Sequence, residues 1–143
     1  MTKRVTREEC NCFALRQASR FVTQLYERHL APVGLTAAQF TILSRLARAP
    51  GASAAELAED LVMDRTTVVR ALKPLQRDAL VVATSARHDA RMLEFRLSAA
   101  GRRRFEKAHA LWLDAQAEFE RYLKRDRAKA LRGELFALTS AGA

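Results

Sequence analysis

The sequence predicts a mainly α-helical fold that carries one small β-hairpin. Three observations predict it. Short helix-capping signatures recur along the first half, each followed by apolar residues at helical spacing. Between residues 81 and 97 the period shortens to two, and after Ser98 a three-four spacing returns and runs to residue 122. At 143 residues the chain is long enough for one cored domain and too short for two comfortable ones, so a single domain over 1–143 is expected. Its 49% apolar and 29% charged residues fit a globular protein in water, and no apolar run approaches the roughly 20 residues needed to span a bilayer.

The elements follow in order. Thr6 with Glu9 has capping-box spacing, and Phe13, Leu15, Phe21, Val22, Leu25 and Leu30 continue at gaps that suit a long first helix to about His29. Pro32 and Gly34 break it. Thr36 with Gln39 opens a second helix through Phe40, Ile42, Leu43 and Leu46, ending near Arg48. ARAPGAS is a turn by composition, and Ser53 with Glu56 then starts a short third helix. Asp64 is a good N-cap for a fourth, whose inward stripe is Val68, Leu72 and Leu75. VVAT and LEFRL, separated by the polar ARHDARM, form a two-stranded ribbon. Ser98 caps a long helix with a seam of Phe105, Ala108, Trp112, Ala115, Phe119 and Tyr122, and a last helix follows Asp126 with Ala128, Leu131, Leu135 and Leu138.

Two short helices joined by the step VMD and followed at once by a hairpin have the spacing of a helix-turn-helix with a wing. The fourth helix begins Arg65-Thr66-Thr67 and adds Arg70 one turn on, a polar and basic start that packing alone does not require. Such an end can enter a major groove, with Arg65 on a guanine edge, Thr66 and Thr67 on thymine methyls or phosphates, and Arg70 on a base or phosphate. Pro74 lies on the half away from that end. In the hairpin, Arg87 and Arg91 stand near the tip, where an arginine suits the narrow, negative minor groove, and Asp89 is spaced to hold the Arg91 guanidinium. The net charge of +9 points to polyanions in general. Between Ser53 and Leu97, however, acids and bases are about equally numerous, so binding there depends on which face the charges occupy. Arg45, Arg48 and the run Arg102 to Arg104 are candidates for phosphate contacts on the same surface.

DRTTVVRALKPLQRDALV followed by DARMLEFRLSAAG resembles the recognition helix, wing and start of the fifth helix of the MarR family of winged-helix transcriptional regulators. Asp89, Arg91 and LSAAG meet the family's wing pattern, with Ser98 in place of the usual threonine, and GLTAAQF matches the start of the second helix. Ala79 stands where the family often has glycine. The resemblance implies a homodimer joined through residues of about 1–35 and 98–143, with the winged helix-turn-helix at about 36–97. It implies a sequence-specific DNA-binding regulator, a repressor that binds a pseudo-palindromic operator in double-stranded DNA. Independently, Phe105, Trp112, Phe119, Tyr122, Leu131, Leu135 and Leu138 are more apolar helix surface than one small domain can bury alone.

For the signal that releases DNA the sequence offers two alternatives: a small aromatic or phenolic effector, and oxidation of Cys12. CFALRQASR resembles the segment around the reactive cysteine of the organic-hydroperoxide-sensing branch of the family, which puts Cys12 at the sensing position and Tyr26 at one of the tyrosines around it. Two other tyrosine positions of that branch hold Arg16 and Ala37. Arg16, one turn beyond Cys12, favours a thiolate, as does the start of a helix. Cys10 and Cys12, read as two residues of one helix, diverge and do not pair. Enzyme chemistry is not expected: His29, His88 and His109 are scattered, no metal site or cofactor motif is present, and the five glycines form no phosphate loop. A purely helical protein-protein interaction module is the rival reading, and the charged hairpin argues against it. With no export signal at the charged N-terminus and two free cysteines, a cytoplasmic location is expected.

Overall fold

The computed structural model describes residues 4–141. Its helices are α1 (Asn11–Leu30), α2 (Ala37–Arg48), α3 (Ala54–Asp60), α4 (Arg65–Arg77), α5 (Ala99–Leu123) and α6 (Arg125–Ala141), with strands β1 (Val81–Ser85) and β2 (Leu93–Leu97) between α4 and α5. Short 3-10 turns occupy Arg7–Glu9 and Ala31–Val33. The described residues fall into two compact units, one made of those up to His29 together with those from Trp112 onward, the other of Leu30–Leu111. No single helix among them is long and apolar enough to cross a membrane.

In the unit Leu30–Leu111 the cap signatures act as their spacing foretells. Thr36 Oγ1 accepts from Gln39 N–H at 3.1 Å while Gln39 Oε1 accepts from Thr36 N–H at 3.0 Å. Ser53 and Glu56 repeat the exchange at 3.1 and 2.8 Å. Each pair satisfies donors that a helix start leaves without partners. Leu43, Leu46, Leu57, Val68, Leu72 and Val81 are fully buried, and they join α2 and α3 to α4 and the hairpin. Phe40 on α2 stacks on Phe105 of α5 with ring centroids 5.7 Å apart. The strands pair antiparallel with Val81 opposite Leu97 and Ser85 opposite Leu93. Phe95 also exchanges backbone bonds with Gly51 (3.0 Å) and Ala52 (2.8 Å), which ties the turn before α3 to the ribbon.

One junction fixes where α4, the ribbon and α5 meet. The Ser98 hydroxyl donates to Ala79 C=O at 2.6 Å and accepts from Gly101 N–H at 2.9 Å, while Ser98 N–H donates to Leu80 C=O at 3.0 Å. A Cβ on Gly101 would lie 1.9 Å from the Leu80 carbonyl oxygen, so only glycine fits there. Ala79 has φ 55°, the left-handed region, which accounts for the glycine often found at that position in the family the sequence resembles.

The N-terminal segment corrects one expectation. Glu9 does accept from Thr6 N–H, at 3.2 Å, but the pair closes only a 3-10 turn. Cys10 is then extended (φ −90°, ψ 107°) and α1 begins at Asn11. Cys10 is therefore not a helical residue, and its Sγ accepts from Phe13 N–H at 3.4 Å at the start of α1. The premise that Cys10 and Cys12 diverge as two positions of one helix does not hold. At the other end, α6 starts at Arg125, after the single linking residue Lys124 at φ 67°.

In the other unit α1, α5 and α6 pack through Leu25, Ala115 and Ala128, all buried. Tyr26 donates its hydroxyl to Gln116 Oε1 and tilts its ring against Trp112 at 6.2 Å. Phe21 meets Tyr122 edge-on at 5.7 Å. Glu118 accepts from Arg28 (2.6 Å) and pairs with His29. Large apolar side chains stay uncovered on these helices: Phe21, Leu113, Tyr122, Phe136 and Leu138 are each about half exposed or more.

Two expected outcomes follow from this geometry. Gly101→Ala should destabilise the protein by on the order of 2 to 4 kcal/mol, since backbone must move, whereas Ala79→Gly should stabilise it by about 0.5 to 1 kcal/mol. Urea unfolding midpoints at one protein concentration measure both, and an Ala79→Gly protein weaker than wild type would contradict the strain argument. His29 first, then Arg28, hold the Glu118 carboxyl below the ordinary glutamate value of 4.5. A depressed acid stabilises the fold above the unfolded value and loses that contribution as pH falls through the folded one. The stability gap between wild type and Glu118→Gln should therefore narrow below pH 4.5, measured by urea titration at pH 7 and in acid.

Candidate nucleic-acid interface

Helix α4 has two faces of opposite character. Val68, Leu72 and Leu75 are buried on one. Arg65, Thr66, Val69, Arg70 and Lys73 line a shallow groove on the other, all exposed. This spacing of one, four, five and eight residues is a single helical stripe. Three cations therefore stand along about two turns of α4 on the outer surface of the unit.

Asp64 holds the start of this helix. Its Oδ1 accepts from Thr67 N–H at 2.8 Å and its Oδ2 from the Thr67 hydroxyl at 2.7 Å. The Thr67 hydroxyl, then its N–H, hold the Asp64 carboxyl below its ordinary value, with Arg70 adding to the effect. Thr67 thus differs from its neighbour: its hydroxyl proton is given to the cap, while Thr66 remains on the open stripe. Val69 and Lys73 belong to the same stripe; the polar helix start alone does not include them, although their three-four spacing from Arg65, Thr66 and Arg70 places them on it.

The wing loop is closed by Ala86 N–H to Met92 C=O at 2.8 Å and Met92 N–H to Asp89 C=O at 3.0 Å. Arg87, His88, Asp89 and Arg91 are exposed on it. The Asp89 carboxylate accepts from the backbone N–H of Arg91 at 3.0 Å. That corrects the expected contact with the Arg91 guanidinium: the carboxylate shapes the turn and leaves the arginine head free to extend.

Two of the arginines suggested for phosphate contact are engaged inside the unit. Arg45 donates to Asp60 at 2.7 Å and to Ala49 C=O at 2.7 Å, clamping α2 to α3. Arg104 donates to Val33 C=O at 2.9 Å. Arg48, Arg102 and Arg103 remain exposed.

Of the sensor candidates, Cys12 is exposed in the first turn of α1 and Arg16 lies exposed one turn further on. Tyr26 sits fourteen residues beyond Cys12 on the same helix, about 20 Å at the usual rise, so it does not surround that thiol within one chain. Its hydroxyl is held to Gln116, and burial, then the Glu120 charge, raise its pKa. Tyr26 and Gln116, with Arg132, are the polar groups of a cavity of about 230 Å³ otherwise lined by apolar residues, including Val22, Phe119 and Phe136. Among the described residues no cluster of histidine, cysteine and carboxylate could hold a metal ion.

Residues 33–92 match a family model described as MarR family. The structure superposes on MosR, a transcriptional regulator of M. tuberculosis solved in complex with DNA, with TM-score 0.79 and 34% identity over 93% of this chain and 98% of that one. It is also similar to the transcriptional repressor CouR, at TM-score 0.85 and 28% identity over 97% of this chain, both bound to a 23-mer DNA duplex (99% of that chain) and bound to p-coumaroyl-CoA (98%). No curated protein matches the chain by sequence. The helix-turn-helix with its hairpin, the stripe of cations on α4, the family match and the identity to MosR over nearly the whole length lead to one conclusion: the chain belongs to the MarR family of transcriptional regulators.

Proposed function

We propose that this protein is a repressor that binds a pseudo-palindromic operator in duplex DNA as a homodimer, and that a signal read by its helical unit releases it. The observation that carries the reading is the outer stripe of α4, where Arg65, Thr66, Arg70 and Lys73 stand exposed opposite a fully buried face. Arg65 takes a guanine edge, Thr66 and Arg70 a base or phosphate, and Lys73 a phosphate. Arg87 and Arg91 on the wing reach the adjacent minor groove, and Asp89 acts through the backbone of Arg91. Thr67 donates its hydroxyl proton to Asp64 and so supports the helix start, while its methyl is left for a thymine methyl. MosR and CouR, solved on DNA, support the same activity. The protein is a regulator and not an enzyme, and it works where the chromosome is, in the cytoplasm.

The exposed apolar side chains of α1, α5 and α6 support the dimer. Leu15, Phe21, Tyr122, Leu131 and Leu135 border a groove of about 630 Å³ with almost no polar surface, more than a lone protomer should leave in water. In the twofold assembly two copies of α4 meet half-sites about one helical turn apart. The effector is a small aromatic or phenolic molecule, as CouR's complex with p-coumaroyl-CoA supports. The neighbouring cavity with Tyr26, Gln116 and Arg132 suits such a ligand, offering apolar walls for the ring and hydrogen-bonding groups for its polar end. Oxidation of Cys12 is the second reading, favoured by its exposure at a helix start beside Arg16.

Selection from a randomised duplex library tests the function directly and should return a palindrome. On that site Arg65→Ala should cost about 1 to 3 kcal/mol and relax one position of the sequence; an equal loss on random DNA would assign Arg65 to phosphate. Arg91→Ala should lower the salt slope of binding by roughly one. Asp89→Ala should also weaken binding, although it removes a charge that DNA repels, and tighter binding would show that the turn does not need the carboxylate. To separate the two signals, an organic hydroperoxide is applied to wild type and Cys12→Ser. Release of wild type alone supports the redox reading, and equal release of both excludes it.

A further inference from the structure

Val69 is not among the buried residues of α4. It is 37% exposed on the flank of α4, about 100° round the helix from Val68, where the buried face of Val68, Leu72 and Leu75 gives way to the open stripe. As a β-branched residue it also disfavours a helix slightly relative to the long polar side chains that usually fill such positions. Around it on the stripe are Arg65 four residues before, Thr66 three before, Arg70 next to it and Lys73 four after. On its open side an apolar side chain is thus bordered by three cations and a hydroxyl. A surface shaped only for water or for phosphates would carry a polar group at this position.

A major groove offers one apolar feature among its donors and acceptors, the C5-methyl of thymine. Resting on the assignment of the α4 stripe to DNA, we infer that Val69 is a specificity residue that reads a thymine in each half-site through methyl-to-methyl contact. Arg65 and Arg70 fix the register of the helix on the duplex, and Val69 then meets whichever base edge lies between them. Cytosine presents only a ring hydrogen at C5, and the purines present N7 in that region, so the contact discriminates without a hydrogen bond. Removing one buried methyl is worth a factor of about four in affinity per half-site, and about fifteen when both half-sites are changed.

The test uses the full-length protein and the duplex chosen by selection from a randomised library. Each half-site thymine is replaced in turn, in both half-sites, by uracil, which keeps every hydrogen-bonding group and lacks only the methyl. One such replacement should weaken wild-type binding about fifteenfold and leave Val69→Ala binding unchanged, while Val69→Ala should itself bind the thymine duplex more weakly. Val69→Thr, which keeps one methyl, should retain part of the preference. Thermal unfolding of the variants should stay close to wild type, because the side chain is not among the buried residues of α4. Indifference of wild type to every uracil, a selected half-site without thymine, or equal uracil sensitivity in Val69→Ala would overturn the role of Val69 and leave DNA binding standing. Failure to select any sequence would overturn the assignment of the stripe itself.

Discussion

The carbonyl of Leu80 and the missing side chain of Gly101 set the geometry on which the reading unit depends. Because that oxygen would lie 1.9 Å from a Cβ at 101, the first turn of α5 packs directly on the backbone that leaves α4 and starts β1. Ser98 then joins three elements at one point, donating its hydroxyl to Ala79 C=O, donating its N–H to Leu80 C=O, and accepting from Gly101 N–H. The end of α4, both ends of the ribbon nearest it and the start of α5 cannot shift independently. The direction in which the stripe on α4 faces, and where the wing stands beside it, are both consequences of that contact.

The local parts of this arrangement were legible because their causes are local. A serine, threonine or aspartate with its partner three residues on specifies a helix start whatever surrounds it, and Thr36, Ser53 and Asp64 all cap as their spacing indicates. Thr6 shows the limit: its bonds to Glu9 form, but the next residue leaves the helical region and the motif ends in a 3-10 turn. Partners far apart in sequence were not legible. Nothing near Arg45 announces that its guanidinium is tied to Asp60 fifteen residues on, nor does LSAAG disclose that Arg104 will cap the turn at Val33. Thr67 adds to a local cap, its hydroxyl donating to the Asp64 carboxylate three residues before it.

Charge composition was the least informative property of the reading unit and charge placement the most. Acids and bases are nearly balanced from Ser53 to Leu97. The acids, however, are largely occupied: Glu56 and Asp64 cap helices, Asp60 holds Arg45, Glu94 pairs with Arg96, and Asp89 closes the wing turn. Each is drawn toward a donor of the fold, which leaves Arg65, Arg70 and Lys73 to set the potential of the α4 stripe. A neutral segment thus presents a cationic face, and this is how the surplus charge elsewhere in the chain and the specific surface come to be separate properties.

Left-handed residues bracket the same helix. Val62 in the turn before α4 has φ 52° and Ala79 after it has φ 55°, and neither is glycine. For a β-branched residue this conformation is costly, and Val62 is 77% exposed, so it recovers little of that cost through burial. What holds the turn is its backbone: Val62 N–H bonds to Glu59 C=O at 3.2 Å and Met63 N–H to Ala58 C=O at 2.9 Å, while Ala79 N–H bonds to Gln76 C=O at 3.0 Å. Side chains at both positions narrow the conformations open to the unfolded chain more than glycine would, which offsets part of the strain. Helix α4 is therefore placed by two tight turns under strain and one close backbone contact, a rigid mounting for the face that carries Arg65, Thr66, Val69, Arg70 and Lys73.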